Sequence, residues 1–133
     1  ETQVVLPLLE SDLLTVMEAT TNGTLDKTDV KFSDGAAACV ILASGGYPLA
    51  YEKGKEITGL ENGQVPSAAD VTVYHAGTAI KDGKLVTNGG RVLAVVAQGE
   101  SLSEARQRAH NETKKVKFDG MQRRPDIGFA SFV

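Results

Sequence analysis

Tryptophan is absent and aromatic residues make up only 5% of the chain, so any core must be aliphatic, built from Val, Leu, Ile and Ala. Cys39 is the single cysteine, which excludes an intramolecular disulfide and makes a cytosolic, cytoplasmic setting the expectation. Two histidines and that one cysteine have no metal-ligand spacing, so no structural zinc site is expected. No apolar run approaches the roughly 20 residues needed to span a bilayer, and no charged-then-apolar leader precedes a cleavage site. No membrane role is expected. A Walker-type GK[ST] loop, a GxGxxG ahead of a helix and a serine-hydrolase elbow are all missing, so this chain alone builds no nucleotide site. The net charge of -3 gives no reason to expect nucleic acid as a partner. The first residue is Glu1 rather than Met, which suggests an excised segment.

What is present fits one modest domain, or a small domain carrying a remnant of its neighbour. Residues 1–21 read as helical, with Pro7 dividing them into two short pieces, Ser11 or Asp12 as a cap and Asn22-Gly23 as the stop. Val4, Val5, Leu6, Leu8 and Leu9 crowd more than one face, which predicts packing against material outside this chain. Residues 24–34 are a polar connector. The run from Ala37 to Ala43 predicts a strand buried on both faces, ending in the turn Ser44-Gly45-Gly46-Tyr47-Pro48. Lys55 to Leu60 is a further strand candidate, and Val71, Val73 and His75 alternate as a half-buried strand does. Asp82-Gly83 predicts a two-residue hairpin between Thr78–Ile80 and Lys84–Thr87. Another β-branched run covers Arg91 to Ala97. Ser101 and Glu104 form a capping box opening a helix, with Leu102, Ala105, Ala109 and Val116 on its buried side and Arg106, Arg108 and Glu112 facing water. Strands separated by turns rather than helices predict an antiparallel α+β fold.

Two glycine loops could carry chemistry. Asn88-Gly89-Gly90-Arg91 offers backbone N–H groups and a guanidinium fork, which suit a phosphate or carboxylate. Gly45, Gly46, Tyr47 and Lys53 lie in a second loop able to cover a polar ligand. For both, a plain structural turn is the competing reading. His75 reads as a satisfied, partly buried side chain, His110 as exposed, and Cys39 as inert in a buried strand. Charge is asymmetric: residues before Gly35 are mostly acidic, whereas Arg106 to Arg124 is basic. The basic stretch reads as a solvated helix face, or else as an attractor for an anionic substrate or an acidic partner surface.

Taken in order, these motifs resemble the glycinamide ribonucleotide synthetase family. The resemblance is carried by Val40-Ile41-Leu42-Ala43-Ser44-Gly45-Gly46-Tyr47-Pro48, Tyr51-Glu52-Lys53-Gly54, Ile57-Thr58-Gly59-Leu60, His75-Ala76-Gly77-Thr78, Asp82-Gly83, Thr87-Asn88-Gly89-Gly90-Arg91-Val92-Leu93 and Asp126-Ile127-Gly128. Glu1 to Pro7 looks like the continuation of the family's EFNVRFGDP segment. The family is one of ATP-grasp ligases: ATP activates glycine as an acyl phosphate, and the amine of phosphoribosylamine attacks it. The resemblance implies a helical tail of the ATP-grasp catalytic domain over residues 1–23, a connector over 24–34 and a β-rich barrel-sandwich hybrid domain over 35–133. It implies no catalytic residue and no metal ligand here, the metal-binding Glu and Asn lying upstream of Glu1. ATP with Mg or Mn would belong to the full-length enzyme, and neither is expected on this segment alone. The implied partners are the remaining portions of the same enzyme, glycine and phosphoribosylamine. Asn88, Gly89, Gly90 and Arg91 would bind the phosphoribosylamine phosphate, with Gly45, Gly46, Tyr47 and Lys53 lining the same cleft. Leu49 stands where the family usually has Gly, and Pro125 where a basic residue is common, which puts the loop's shape and the tail arginines' role in question. A noncatalytic barrel-sandwich module of a larger fusion protein is the alternative.

Overall fold

The computed structural model describes residues 1–66 and 69–129; the last four residues of the 35–133 unit expected above lie outside that range. Three helices, α1 (Thr2–Val5), α2 (Leu13–Asn22) and α3 (Leu102–Thr113), accompany five strands: β1 (Ala36–Ala43), β2 (Val71–His75), β3 (Thr78–Lys81), β4 (Lys84–Thr87) and β5 (Arg91–Gly99). Both sheets are antiparallel. β5 lies between β1 and β2, and β3 pairs with β4. The α+β expectation holds at this level.

The core forms around β5. Val40 and Val73 both sit opposite Val95, and Leu42 opposite Leu93, so these side chains share one face of the sheet. There Leu42, Val73, Leu93 and Val95 pack with Ile57, Val65, Val116 and Phe118. At the other end of that face, Ala38, Val40 and Ala97 meet Ala105 and Ala109 of α3. Alanine on both sides lets the helix approach the sheet closely. The opposite face, with Ala94 and Val96 buried, is approached by α1, which contacts β1 and β5.

Several local signals act as expected. Pro7 lies in a 3-10 turn that separates α1 from α2, and Asp12 caps α2 by accepting the Thr15 N–H at 2.8 Å. Gly23 ends α2 in the left-handed conformation. Asp82 (φ 50°) and Gly83 (φ 76°) make the two-residue turn between β3 and β4. At α3, the Glu104 N–H donates to Ser101 Oγ, and the Glu104 carboxylate receives the Glu100 N–H.

Four readings need correction. β1 is an edge strand, with Ala37, Cys39 and Ile41 only half-buried; the strand buried on both faces is β5. An apolar run reads alike in either place, because composition does not say how many neighbours a strand has. Cys39 is therefore not deep in the core, although burial still pushes its thiol pKa up. Lys55 to Leu60 makes only single bridges, Glu56 with Val86 and Thr58 with Lys117. Gly59 (φ 88°) breaks the extended run where the Lys115 carbonyl presses on it. Finally, α3 stops at Thr113, so Val116 is buried beyond the helix while Leu102 stays 53% exposed. Arg106 and Glu112 are not fully in water either: Arg106 lies over the Phe129 ring, and the Glu112 side chain is 14% exposed.

Ser101→Ala removes one cap and should lower stability by about 1 kcal/mol, whereas Leu42→Ala should cost about 3 kcal/mol through the cavity it leaves; urea denaturation of the two variants checks the ranking. Hydrogen bonds from the Thr15 N–H and hydroxyl hold the Asp12 carboxyl below the usual carboxylate range. The cap's contribution is therefore complete above the unfolded carboxylate pKa of about 3.9 and is lost as pH falls through the lower folded value. Thr15 amide exchange should accelerate in that acid window, and Asp12→Ala should abolish the step.

Candidate functional site

The two glycine loops, separate in sequence, meet in the fold. Ser44 joins them: its N–H donates to the Gly90 carbonyl at 2.8 Å, and its hydroxyl donates to the Gly89 carbonyl at 2.8 Å. The Asn88 N–H donates to the Gly77 carbonyl. Gly89 and Gly90 thus spend their carbonyls holding the neighbouring loop. Close approach explains the glycine at position 90, since a Cβ there would lie 2.2 Å from the Tyr47 ring. Tyr47 in turn meets Tyr51 edge-on, with ring centroids 6.2 Å apart.

The chain's far end comes to the same place. Gln122 pairs with Ala43 through two backbone hydrogen bonds of 2.9 Å. Its side-chain amide donates to the carbonyls of Ser44 at 3.0 Å and Tyr47 at 2.8 Å. This brings Arg123 and Arg124 beside Arg91, which faces Ala43 across the sheet. Together with Ile41, Ala43 and Tyr47, these residues line an open cavity of about 390 Å³. Its floor is aliphatic and its charged lining is three guanidiniums. Such a site holds an anion attached to a less polar body.

The expected residues divide accordingly. Arg91 and Tyr47 line this cavity, while Gly90 supports Tyr47 from below. Gly45 lies against Gly120, in a smaller hollow with Glu52, Lys55 and Asp119. Gly46 accepts the Leu49 N–H within its own loop. Lys53 is exposed and absent from the cavity wall; its neighbour Gly54 is tied to the Thr87 carbonyl. Lys55 is the lysine that stitches this region, bridging Glu52 at 2.7 Å and Asp119 at 3.5 Å, and those carboxylates raise its pKa. Gln122, Arg123 and Arg124 were not singled out by sequence reasoning as site residues, and the basic tail they belong to is not a helix face. Arg124 is held by Asp126, whose carboxyl the guanidinium keeps below its ordinary range. His75 is exposed rather than half-buried, yet both ring nitrogens are engaged, one with the Thr78 hydroxyl and one with the Gly63 carbonyl, each at 3.0 Å. Among the described residues, no three His, Cys, Asp or Glu side chains gather to hold a metal ion. Gly90→Ala should push the Tyr47 ring out of place, costing about 1–3 kcal/mol and raising the exposure of Tyr47 in fluorescence quenching.

Comparison with known proteins places this arrangement. Residues 37–130 match the family described as Phosphoribosylglycinamide synthetase, C domain. A phosphoribosylamine–glycine ligase of Caldanaerobacter subterraneus subsp. tengcongensis is 50% identical over 127 residues, covering 96% of this chain and 29% of the relative. The trifunctional purine biosynthetic protein adenosine-3 of Gallus gallus is 48% identical over 130 residues, covering 97% of this chain and 13% of the relative. The crystal structure of a Thermotoga maritima phosphoribosylamine–glycine ligase superposes with a TM-score of 0.65 at 44% identity, over 83% of this chain and 27% of that one. The chain thus spans less than a third of the length of these relatives. With ordered sequence motifs, antiparallel sheets and the family match agreeing over most of its length, the chain belongs to the phosphoribosylglycinamide synthetase C-domain family.

Proposed function

We propose that this chain is part of a ligase that joins glycine to phosphoribosylamine, with release of ADP and phosphate, in purine biosynthesis in the cytoplasm. Its share of the work is to hold the phosphoribosylamine phosphate. The observation that carries this reading is the convergence of Arg91, Arg123 and Arg124 on one aliphatic-floored cavity, within a chain whose relatives are named as that ligase. A phosphate monoester needs two or more charge-assisted donors, and the attached sugar tolerates the apolar wall of Ile41 and Ala43. Arg91 supplies a fork from the start of β5, Arg124, held by Asp126, adds positive charge from the tail, and Tyr47 closes one side. Asn88, Gly89, Gly90, Gly45 and Gly46 shape the loops that present these groups. Lys53, on the outer loop, would reach the ligand only if that loop closes.

The same proposal covers domain layout. Residues 1–23 are read as the tail of the catalytic domain, supported by the exposure of Leu14 (63%) and Met17 (57%) on α2. Residues 24–34 are the connector. Residues 35–133 are the C-terminal unit, described over 35–66 and 69–129, where the bridges Glu56–Val86, Thr58–Lys117 and Ala43–Gln122 tie the strands and the tail together in the manner of a barrel-sandwich. When bound to the rest of the enzyme, ATP with Mg or Mn would supply phosphoryl transfer to glycine. Among the described residues no three His, Cys, Asp or Glu side chains gather to hold that metal, and this proposal assigns the transfer itself to the rest of the enzyme. Orientation of the sugar phosphate fixes where the amine sits, and a misplaced amine attacks the acyl phosphate slowly.

In the full-length enzyme, Arg91→Ala should lower kcat/KM for phosphoribosylamine roughly tenfold to a hundredfold, about 1.4–2.8 kcal/mol, through lost charge-assisted hydrogen bonds. KM for glycine and ATP should hold. Steady-state kinetics with each substrate varied in turn checks this, and an unchanged phosphoribosylamine response would overturn the phosphate assignment.

A further inference from the structure

Arg123 lines a second cavity as well, of about 430 Å³, between α3 and the tail. Arg106, His110 and Lys114 reach it at four-residue intervals along α3 and its cap, and Phe129 closes it from the tail. Among the described residues, no carboxylate lines it. Elsewhere the cations near α3 are paired, Arg108 with Asp70 and Glu104, and Lys115 with Glu112.

The cationic groups in this groove are also fixed in place. Arg106 lays its guanidinium over the Phe129 ring, 3.7 Å from the centroid. Its stem fills the space beside Gly128, where a Cβ would meet Arg106 Cγ and Cδ at 3.2 Å. The Arg106 Nε is buried without a hydrogen-bond partner among the described residues. A buried donor left without a partner is destabilising, so the fold holds this guanidinium at a cost in stability. His110 Nε2 lies 3.0 Å from the Ile127 carbonyl, an acceptor only, so Nε2 carries the proton. In the neutral ring Nδ1 then accepts from Arg123, 3.4 Å away. Lys114 has only the neutral Asn111 amide oxygen, at 3.0 Å. Three cations held together without a counter-charge repel one another, and an anion between them converts that repulsion into attraction.

We propose that this groove is a second anion site, separate from the Arg91 cavity, which takes the tetrahedral dianion of a phosphate group. Arg106 and Lys114 grip it from α3, and Arg123 forms the wall shared with the first cavity. The site stands independently of the reading given to Arg91.

Lysine acylation of the full-length enzyme, mapped by mass spectrometry at matched ionic strength, tests it. Inorganic phosphate at twice its dissociation constant should slow labelling of Lys114 about threefold relative to chloride, with Lys115 unchanged. Arg106→Gln should remove the protection, and Arg91→Ala should leave it intact. Ribose 5-phosphate protecting as well as free phosphate assigns the site to a sugar phosphate; protection by free phosphate alone assigns it to the inorganic ion. Equal labelling of Lys114 with and without phosphate would overturn the proposal, as would loss of protection in Arg91→Ala, which would place the ion in the first cavity.

Discussion

Gln122 is the residue on which the arrangement depends. Its backbone closes the end of β1 at Ala43, and its side-chain amide holds the carbonyls of Ser44 and Tyr47. Those bonds fix the stretch of tail that sets Arg123 and Arg124 beside Arg91. Ser44 extends the clamp to the other loop through Gly89 and Gly90. Two loops and a tail thus share one hydrogen-bonded junction, and the cavity is the space it leaves open. Each bond is worth about 1 kcal/mol, but the junction matters for geometry more than for total stability.

The tail's closing motif gains a physical account in the same way. Ile127 packs against the alanines under α3, and its carbonyl engages His110. Asp126 pairs with Arg124, and Gly128 leaves room for Arg106. A short turn therefore sets the positions of two arginine side chains, Arg106 from α3 and Arg124 from the tail. The acidic N-terminal quarter of the chain plays no part in this; none of its carboxylates before Gly35 lines either tail-lined cavity.

Much of the fold was legible because its signals are local. Asp12, Gly23, Asp82-Gly83 and the Ser101–Glu104 box each act within a few residues, and each forms the expected turn or cap. The misread elements are those decided by distant partners. Gly59 breaks a strand-like run because the Lys115 carbonyl comes against it. β1 and β5 have similar compositions, and only pairing order makes one an edge and the other a centre. The site divides on the same principle. Asn88 to Arg91 and the loop after Ser44 drew notice as glycine-rich turns. The contribution of Arg123 and Arg124 required the pairing of Gln122 with Ala43, for which no periodicity or turn signal exists.

That pairing also has a consequence for the order in which the molecule assembles. The bonds from Gln122 to Ser44 and Tyr47 span 78 and 75 residues. Closing so long a loop carries an entropic cost that nearby contacts must offset first. The hairpin of β3 and β4 and the helix α3 can form from local contacts, but the cavity cannot. It arises only with a long-range closure, so a chain that presents this cavity is one whose tail has already come home to β1.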